Sequence, residues 1–230
     1  MLSIYHRRYN KLFKYVTTAK GAVSTGRQKA PPFNRALSLH NMNLLIFIVS
    51  IFSIISILAF SLFSFISSSF EFFPPPSKKS WQYRIFWLFF RLMFLGLVAL
   101  SFSSFNTLSG IATWLRFSLG LPLLILGFGV ATHLSIKLGW ENAHGEEKGL
   151  VVTGWYSWSR NPIYVASFVG MFGWGLFVNS GYVYVILSLW AFLYVLAPFF
   201  EEPWLQKRYG DDFIMYKSQV PRFVGLFKKT

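Results

Sequence analysis

The chain has 230 residues, of which 54% are hydrophobic, 20% aromatic and only 13% charged. A soluble domain carries about a quarter charged residues, so a water-soluble fold is excluded, and with it the nucleic-acid-binding surface that a formal charge of +14 would otherwise suggest. Acidic residues number eight, none before Glu71, and the lack of cysteine excludes disulfides and thiolate metal sites.

Residues 1–43 are polar and basic, with eight Lys/Arg and no acid. That composition fits a transit peptide, a cytoplasmic arm or a start site assigned too early, with Met42 standing just before the first apolar run. It predicts an arm that is disordered or absent from the mature fold. Residues 44–70 form an uncharged run long enough to cross a bilayer with some tilt. Ser50, Ser53, Ser56, Ser64 and Ser67 fall roughly on one face, where small side chains let a second helix approach. Pro74-Pro75-Pro76 followed by Lys78-Lys79 predicts a stiff, basic loop.

Further runs cover residues 83–105, interrupted by Arg84 and Arg91, and residues 117–136, which contain Gly120, Pro122, Gly127, Gly129 and His133. Residues 44–136 thus predict three transmembrane helices. Ionisable groups such as Arg91 and His133 inside apolar runs are functional candidates by default; Arg91 equally suits snorkelling, and His133 packing near the polar loop. The four histidines (His6, His40, His133 and His144) have no spacing that puts two on one helix face, and no metal is expected.

A polar stretch, residues 137–161, precedes two short apolar runs, 162–178 and 182–200, joined by Asn179-Ser180-Gly181. So short a turn predicts an antiparallel hairpin over 162–200, in which Ala166 and Gly170 offer a small-xxx-small contact and Gly173 and Gly175 add room. In the tail, Leu205, Tyr209, Phe213, Tyr216 and Val220 repeat at helical spacing, and Gly210-Asp211 marks a stop and new start. The prediction is a bent amphipathic segment on the membrane surface. The fold class is therefore all-α integral membrane, with about five transmembrane helices and an amphipathic C-terminal cytosolic segment. Twelve Lys/Arg lie on the side of the polar loop and tail, against Arg116 plus the arm on the other. The positive-inside bias then puts the C-terminus in the cytoplasm, in a plasma (inner) membrane.

The hairpin brings two polar blocks to one membrane face. The first reads Gly154-Trp155-Tyr156-Ser157-Trp158-Ser159-Arg160-Asn161-Pro162-Ile163-Tyr164; the second reads Glu201-Glu202-Pro203-Trp204-Leu205, then Tyr209-Gly210 and Val220-Pro221-Arg222-Phe223. Asn161 before Pro162 makes a helix N-terminus, a place for an anion, and Arg160 beside it offers two parallel hydrogen bonds to a carboxylate. Each aromatic alone reads more readily as part of an interfacial belt. Two carboxylates directly ending an apolar run on the cytoplasmic side have no such explanation.

Over residues 138–224 these blocks, in order and spacing, resemble the isoprenylcysteine carboxyl methyltransferase family, and phospholipid N-methyltransferases are similar in this region. The family's enzymes commonly carry His where this chain has Asn161. The resemblance implies an S-adenosylmethionine-dependent methyltransferase acting on a lipophilic or lipid-linked acceptor. Its site would comprise Arg160 and Glu202 as catalytic residues, with Gly154, Tyr156, Asn161, Pro162, Tyr164, Glu201 and Glu202 around the cofactor. Two alternatives stand beside it. Integral-membrane sterol reductases have a loosely similar C-terminal segment and use a nicotinamide cofactor, whose phosphates call for more basic residues than Arg160 supplies. A non-enzymatic membrane protein on the same fold is the other.

Overall fold

The computed structural model describes residues 32–67, 70–138 and 149–224. The chain divides into two units, residues 1–39 and 40–230. Of the first, only the opening turns of helix α1 (Pro32–Ile66) are described, with proline at the helix start, where its missing N–H costs nothing. The helix therefore begins inside the segment read from sequence as an arm; the rest of that segment lies outside the described residues.

The described residues contain no strand. After α1 come α2 (Trp81–Ser103), α3 (Thr113–Leu138), α4 (Pro162–Val178) and α5 (Gly181–Gln219). Four of these are long and apolar enough to cross a membrane, and α4 is a shorter apolar helix. The protein is an all-α membrane protein. A helix in lipid must satisfy its own polar groups, and the serines of α1 do so: Ser50, Ser53 and Ser56 donate to the carbonyls of Ile46, Val49 and Phe52 at 2.8, 2.7 and 2.7 Å. Gly96 of α2 lies against Ser50, close enough that a Cβ there would strike the serine oxygen.

Helix α3 opens irregularly. Pro122 has no N–H for the carbonyl four residues back, and the turn before it widens to a π-helix, Arg116–Gly120, closed by the Leu121 N–H on the Arg116 carbonyl. Behind this turn α3 and α4 pack backbone to backbone. Gly127 faces Ala166 and Gly170, Gly173 faces Gly120 and Leu124, and Gly120 faces Phe177. The small-residue contact of α4 is thus made with α3 and not within the hairpin, where the sequence placed it. On the α5 side of the hairpin, Tyr184 and Leu187 lie against Gly175 of α4, large side chains where α3 presents glycine.

The α4–α5 turn is Asn179-Ser180, with Asn179 in the left-handed conformation (φ 53°, ψ 57°) that asparagine tolerates at a helix C-terminus. Helix α5 does not stop at residue 200 but runs on through Glu201 and Pro203, and breaks at Gly210 (φ 54°, ψ −129°), the position the sequence marks. Beyond the break the apolar stripe turns inward: Phe213, Tyr216 and Val220 form a buried cluster with Leu150, Leu205 and Tyr209. The sequence reading laid that face on the membrane, and the structure spends it on packing.

Candidate functional site

Between the helices of the second unit lies a cavity of about 840 Å³, within the range of small-molecule sites. One end is polar, with Tyr156, Arg160, Asn161, Tyr164, Glu201 and Glu202 on its wall. The other end is aromatic, formed by Phe90, Phe94, Phe128, Trp174, Trp190 and Tyr194, and the loop residues Phe73, Pro74 and Pro75 also line the cavity. From Glu201 down α5 to Trp190 the cavity runs about 16 Å, at 1.5 Å per residue, roughly half of a bilayer's apolar core.

The polar end is assembled by the C-terminal strap. Arg222 grips Glu202 with two parallel hydrogen bonds, Nε to Oε1 and Nη2 to Oε2, both 2.7 Å, and its guanidinium lies 3.8 Å over the Phe199 ring. The main chain of the strap docks on the start of α4: the Arg160 N–H donates to the Pro221 carbonyl at 2.9 Å, and Asn161 Nδ2 donates to the Arg222 carbonyl at 2.9 Å. Asn161 therefore stands at the N-cap position without capping; α4 opens with Pro162 and no side-chain cap. Tyr216 donates to the Tyr156 carbonyl at 2.7 Å, tying the segment after the Gly210 break to the 3₁₀ turn Gly154–Ser157. Burial pushes the Tyr156 hydroxyl well above its ordinary pKa, and the nearby Tyr216 and Glu201 add to this, so it stays neutral.

The adjacent carboxylates have opposite surroundings. Glu202 is buried and meets three cations: Arg222, Arg160 (Nη1 to Oε1, 3.1 Å) and Lys217 (Nζ to Oε2, 3.6 Å). Glu201 accepts one hydrogen bond, from the Tyr164 hydroxyl at 2.6 Å, and among the described residues no cation pairs with it.

Arg160 is the unfinished member. Its side chain is only 9% exposed, yet its Nε and Nη1 have no hydrogen-bond partner; the 3.1 Å approach of Nη1 to Glu202 is an ion pair without hydrogen-bond alignment. Burial lowers the Arg160 pKa, with Glu202 pulling it back up. A buried guanidinium with idle donors on a cavity wall is a place for an anion. The hydrogen bonds that Arg222 donates to Glu202 raise the pKa of the Arg222 guanidinium.

Of the sequence-predicted residues, Tyr156, Arg160, Asn161, Tyr164, Glu201 and Glu202 share the polar end of the cavity. Gly154 instead lines a shallow recess with Trp155 and Trp158, its φ of +65° turning the chain into the 3₁₀ turn. Pro162 is buried as the first residue of α4. Arg91 and His133 are exposed and do not line the cavity. Sequence reasoning missed the clamp of Arg222 and Lys217 on Glu202 and the aromatic end at Trp190 and Tyr194. The Val-Pro-Arg triplet was the one available signal for the clamp.

Helices of this length define a multi-pass membrane protein, and its cavity has one charged and one aromatic end. Residues 115–212 match the family model described as phospholipid methyltransferase, a family that includes the isoprenylcysteine carboxyl methyltransferases. The match runs from the start of α3 into the segment after the Gly210 break, and the strap residues 220–222 lie beyond it. No curated protein and no solved structure matches the chain.

Proposed function

We propose that this protein transfers a methyl group from S-adenosylmethionine to a lipophilic acceptor that enters the cavity from the bilayer. The observation that carries this reading is Arg160, buried with two idle donors at the polar end of a cavity whose other end is aromatic. Arg160 and the uncapped first turn of α4 suit the cofactor's carboxylate, while Tyr156 and Tyr164 offer faces to a cation. When bound, S-adenosylmethionine supplies an electrophilic methyl group on a sulfonium. Glu202 works on this reading through its cations, holding Arg160 and the strap in place. Glu201 stands on the wall where the polar and aromatic ends meet. The cavity's aromatic end orients an apolar tail and excludes water, and positioning of this kind supplies much of the rate of a displacement reaction.

The polar end faces the cytoplasm, as the basic residues near it favour, and the arm is dispensable for insertion. The test is direct: purified protein in nanodiscs should bind S-adenosylmethionine, and reporters fused at Thr230 should report a cytoplasmic C-terminus. Binding of a nicotinamide cofactor instead would replace this reading with a reductase, and a lumenal or periplasmic C-terminus would remove the cofactor supply on which it depends.

A further inference from the structure

Two neighbouring carboxylates whose surroundings differ this much do not share a job. Glu202 is saturated: its two oxygens meet Arg222, Arg160 and Lys217. Glu201 has one neutral donor, the Tyr164 hydroxyl on Oε1, and among the described residues no hydrogen bond or ion pair occupies Oε2. It lines the cavity as a carboxylate with unused acceptor capacity.

Its position narrows the use. Tyr164, which holds Oε1, packs against Tyr194 with ring centroids 4.7 Å apart, and Tyr194 packs against Trp190 at 5.6 Å. Glu201 is thus tied to the top of the aromatic column that lines the apolar end, whereas Arg160 and Asn161 are tied to the strap on the other side. On the methyltransferase reading, cofactor and acceptor meet at that boundary.

We infer that Glu201 takes the proton from the methyl acceptor, which therefore arrives with a proton on its nucleophilic atom, as an amine, thiol or hydroxyl, and not as a carboxylate. The inference rests on the proposed function. A carboxylate acceptor has no proton to give and would bring a second negative charge beside an unpaired one, away from water, where like charges repel strongly. For an ammonium acceptor the step balances as follows. The nitrogen gives one proton to Glu201 and its freed lone pair to the methyl carbon. The carbon–sulfur bond breaks with its electron pair staying on sulfur, leaving a neutral thioether and a methylated ammonium. Glu201 then releases its proton to water. Tyr164 is a positioning residue in this scheme, fixing Oε1 so that the other lone pairs face the acceptor.

The experiment uses the full chain in nanodiscs, with dodecylamine and dodecanethiol as protic probes and N-acetyl-S-farnesylcysteine as the carboxylate probe. Wild type should bind and methylate at least one protic probe in preference to the carboxylate. Glu201→Gln should bind S-adenosylmethionine within about threefold of wild type, bind the preferred protic probe at least tenfold more weakly if that probe is the amine, and lose roughly a hundredfold in methyl transfer, the low end of what a positioned base contributes. Glu201→Asp keeps the charge and should retain probe binding while transfer slows, which separates loss of the base from loss of the fold. Preference of wild type for the carboxylate probe, or loss of cofactor binding in Glu201→Gln with normal melting, overturns the assignment while leaving the methyltransferase reading intact. A wild type that binds no S-adenosylmethionine overturns both.

Discussion

The two ends of the α4–α5 hairpin carry similar polar residues and treat them differently. At the turn end the buried polar side chains of Arg116, Asn179, Ser104 and Ser180 all have partners within the protein. Arg116, 2% exposed, gives Nε and Nη2 to the Phe177 carbonyl at 3.0 and 2.8 Å and lies 4.6 Å from the Phe105 ring. That places a cation on the last turn of α4, where orphan carbonyls and the helix dipole both favour it. Asn179 Nδ2 donates to the Leu108 carbonyl at 2.6 Å and to Asn106 Oδ1 at 3.2 Å, and Ser104 meets Ser180 at 2.7 Å. At the other end Arg160 keeps idle donors and Glu201 keeps idle acceptors. A buried arginine that finishes its hydrogen bonds within the protein is a fastener; one that does not, on a cavity wall, is available to a ligand.

The comparison breaks most visibly at Glu202. Glu202→Gln leaves Arg222, Arg160 and Lys217 crowded without their counter-charge, and removing one partner of a buried pair costs about 3–5 kcal/mol. Melting in detergent should fall and cofactor binding should fall with it, because the strap loosens from α4. A variant with normal melting and weakened binding would make Glu202 a direct ligand.

At the turn end, Arg116→Leu should lower thermal stability by about 1.5–3 kcal/mol, the value of a charge-assisted hydrogen bond whose partner is left buried. Affinity for S-adenosylmethionine, measured well below the melting range of the variant, should be unchanged. Altered affinity with unchanged melting would contradict the division between the ends.

The smallest effect belongs to Asn179→Ala. It forces a residue with a Cβ into the left-handed region, at a cost of roughly 1–2 kcal/mol, and frees the Leu108 carbonyl. Denaturation of the variant should show this loss, and the Asn179→Gly variant, which relieves the strain and keeps only the hydrogen-bond loss, should recover part of it.

Much of this was legible in the sequence, for identifiable reasons. Uncharged runs announce spans because lipid excludes charge, and a three-residue join folds two helices back on each other, so the convergence of Arg160, Tyr164 and Glu201 followed from local spacing. What stayed hidden was the direction in which a side chain points. Arg116 counted as a loop cation, since nothing local tells that a π-turn aims it at a carbonyl 61 residues away. The partners of Glu202 lie 15, 20 and 42 residues off in the chain and are brought together by the Gly210 break. Helix α5 outran its apolar run because Glu201, Glu202 and Leu205 are good helix formers on either side of Pro203, and packing outweighed the one lost hydrogen bond.

The measurement closest to the central claim is calorimetric titration of S-adenosylmethionine into the full chain in nanodiscs, comparing wild type with Arg160→Ala. The idle donors of Arg160 predict binding by wild type and a loss of at least about tenfold in the variant, the equivalent of about 1.4 kcal/mol, with melting unchanged or raised. Equal affinity of the two proteins, or a lower melting temperature as the only change, would show that Arg160 is one more fastener and that the site is not where its unfinished hydrogen bonds point.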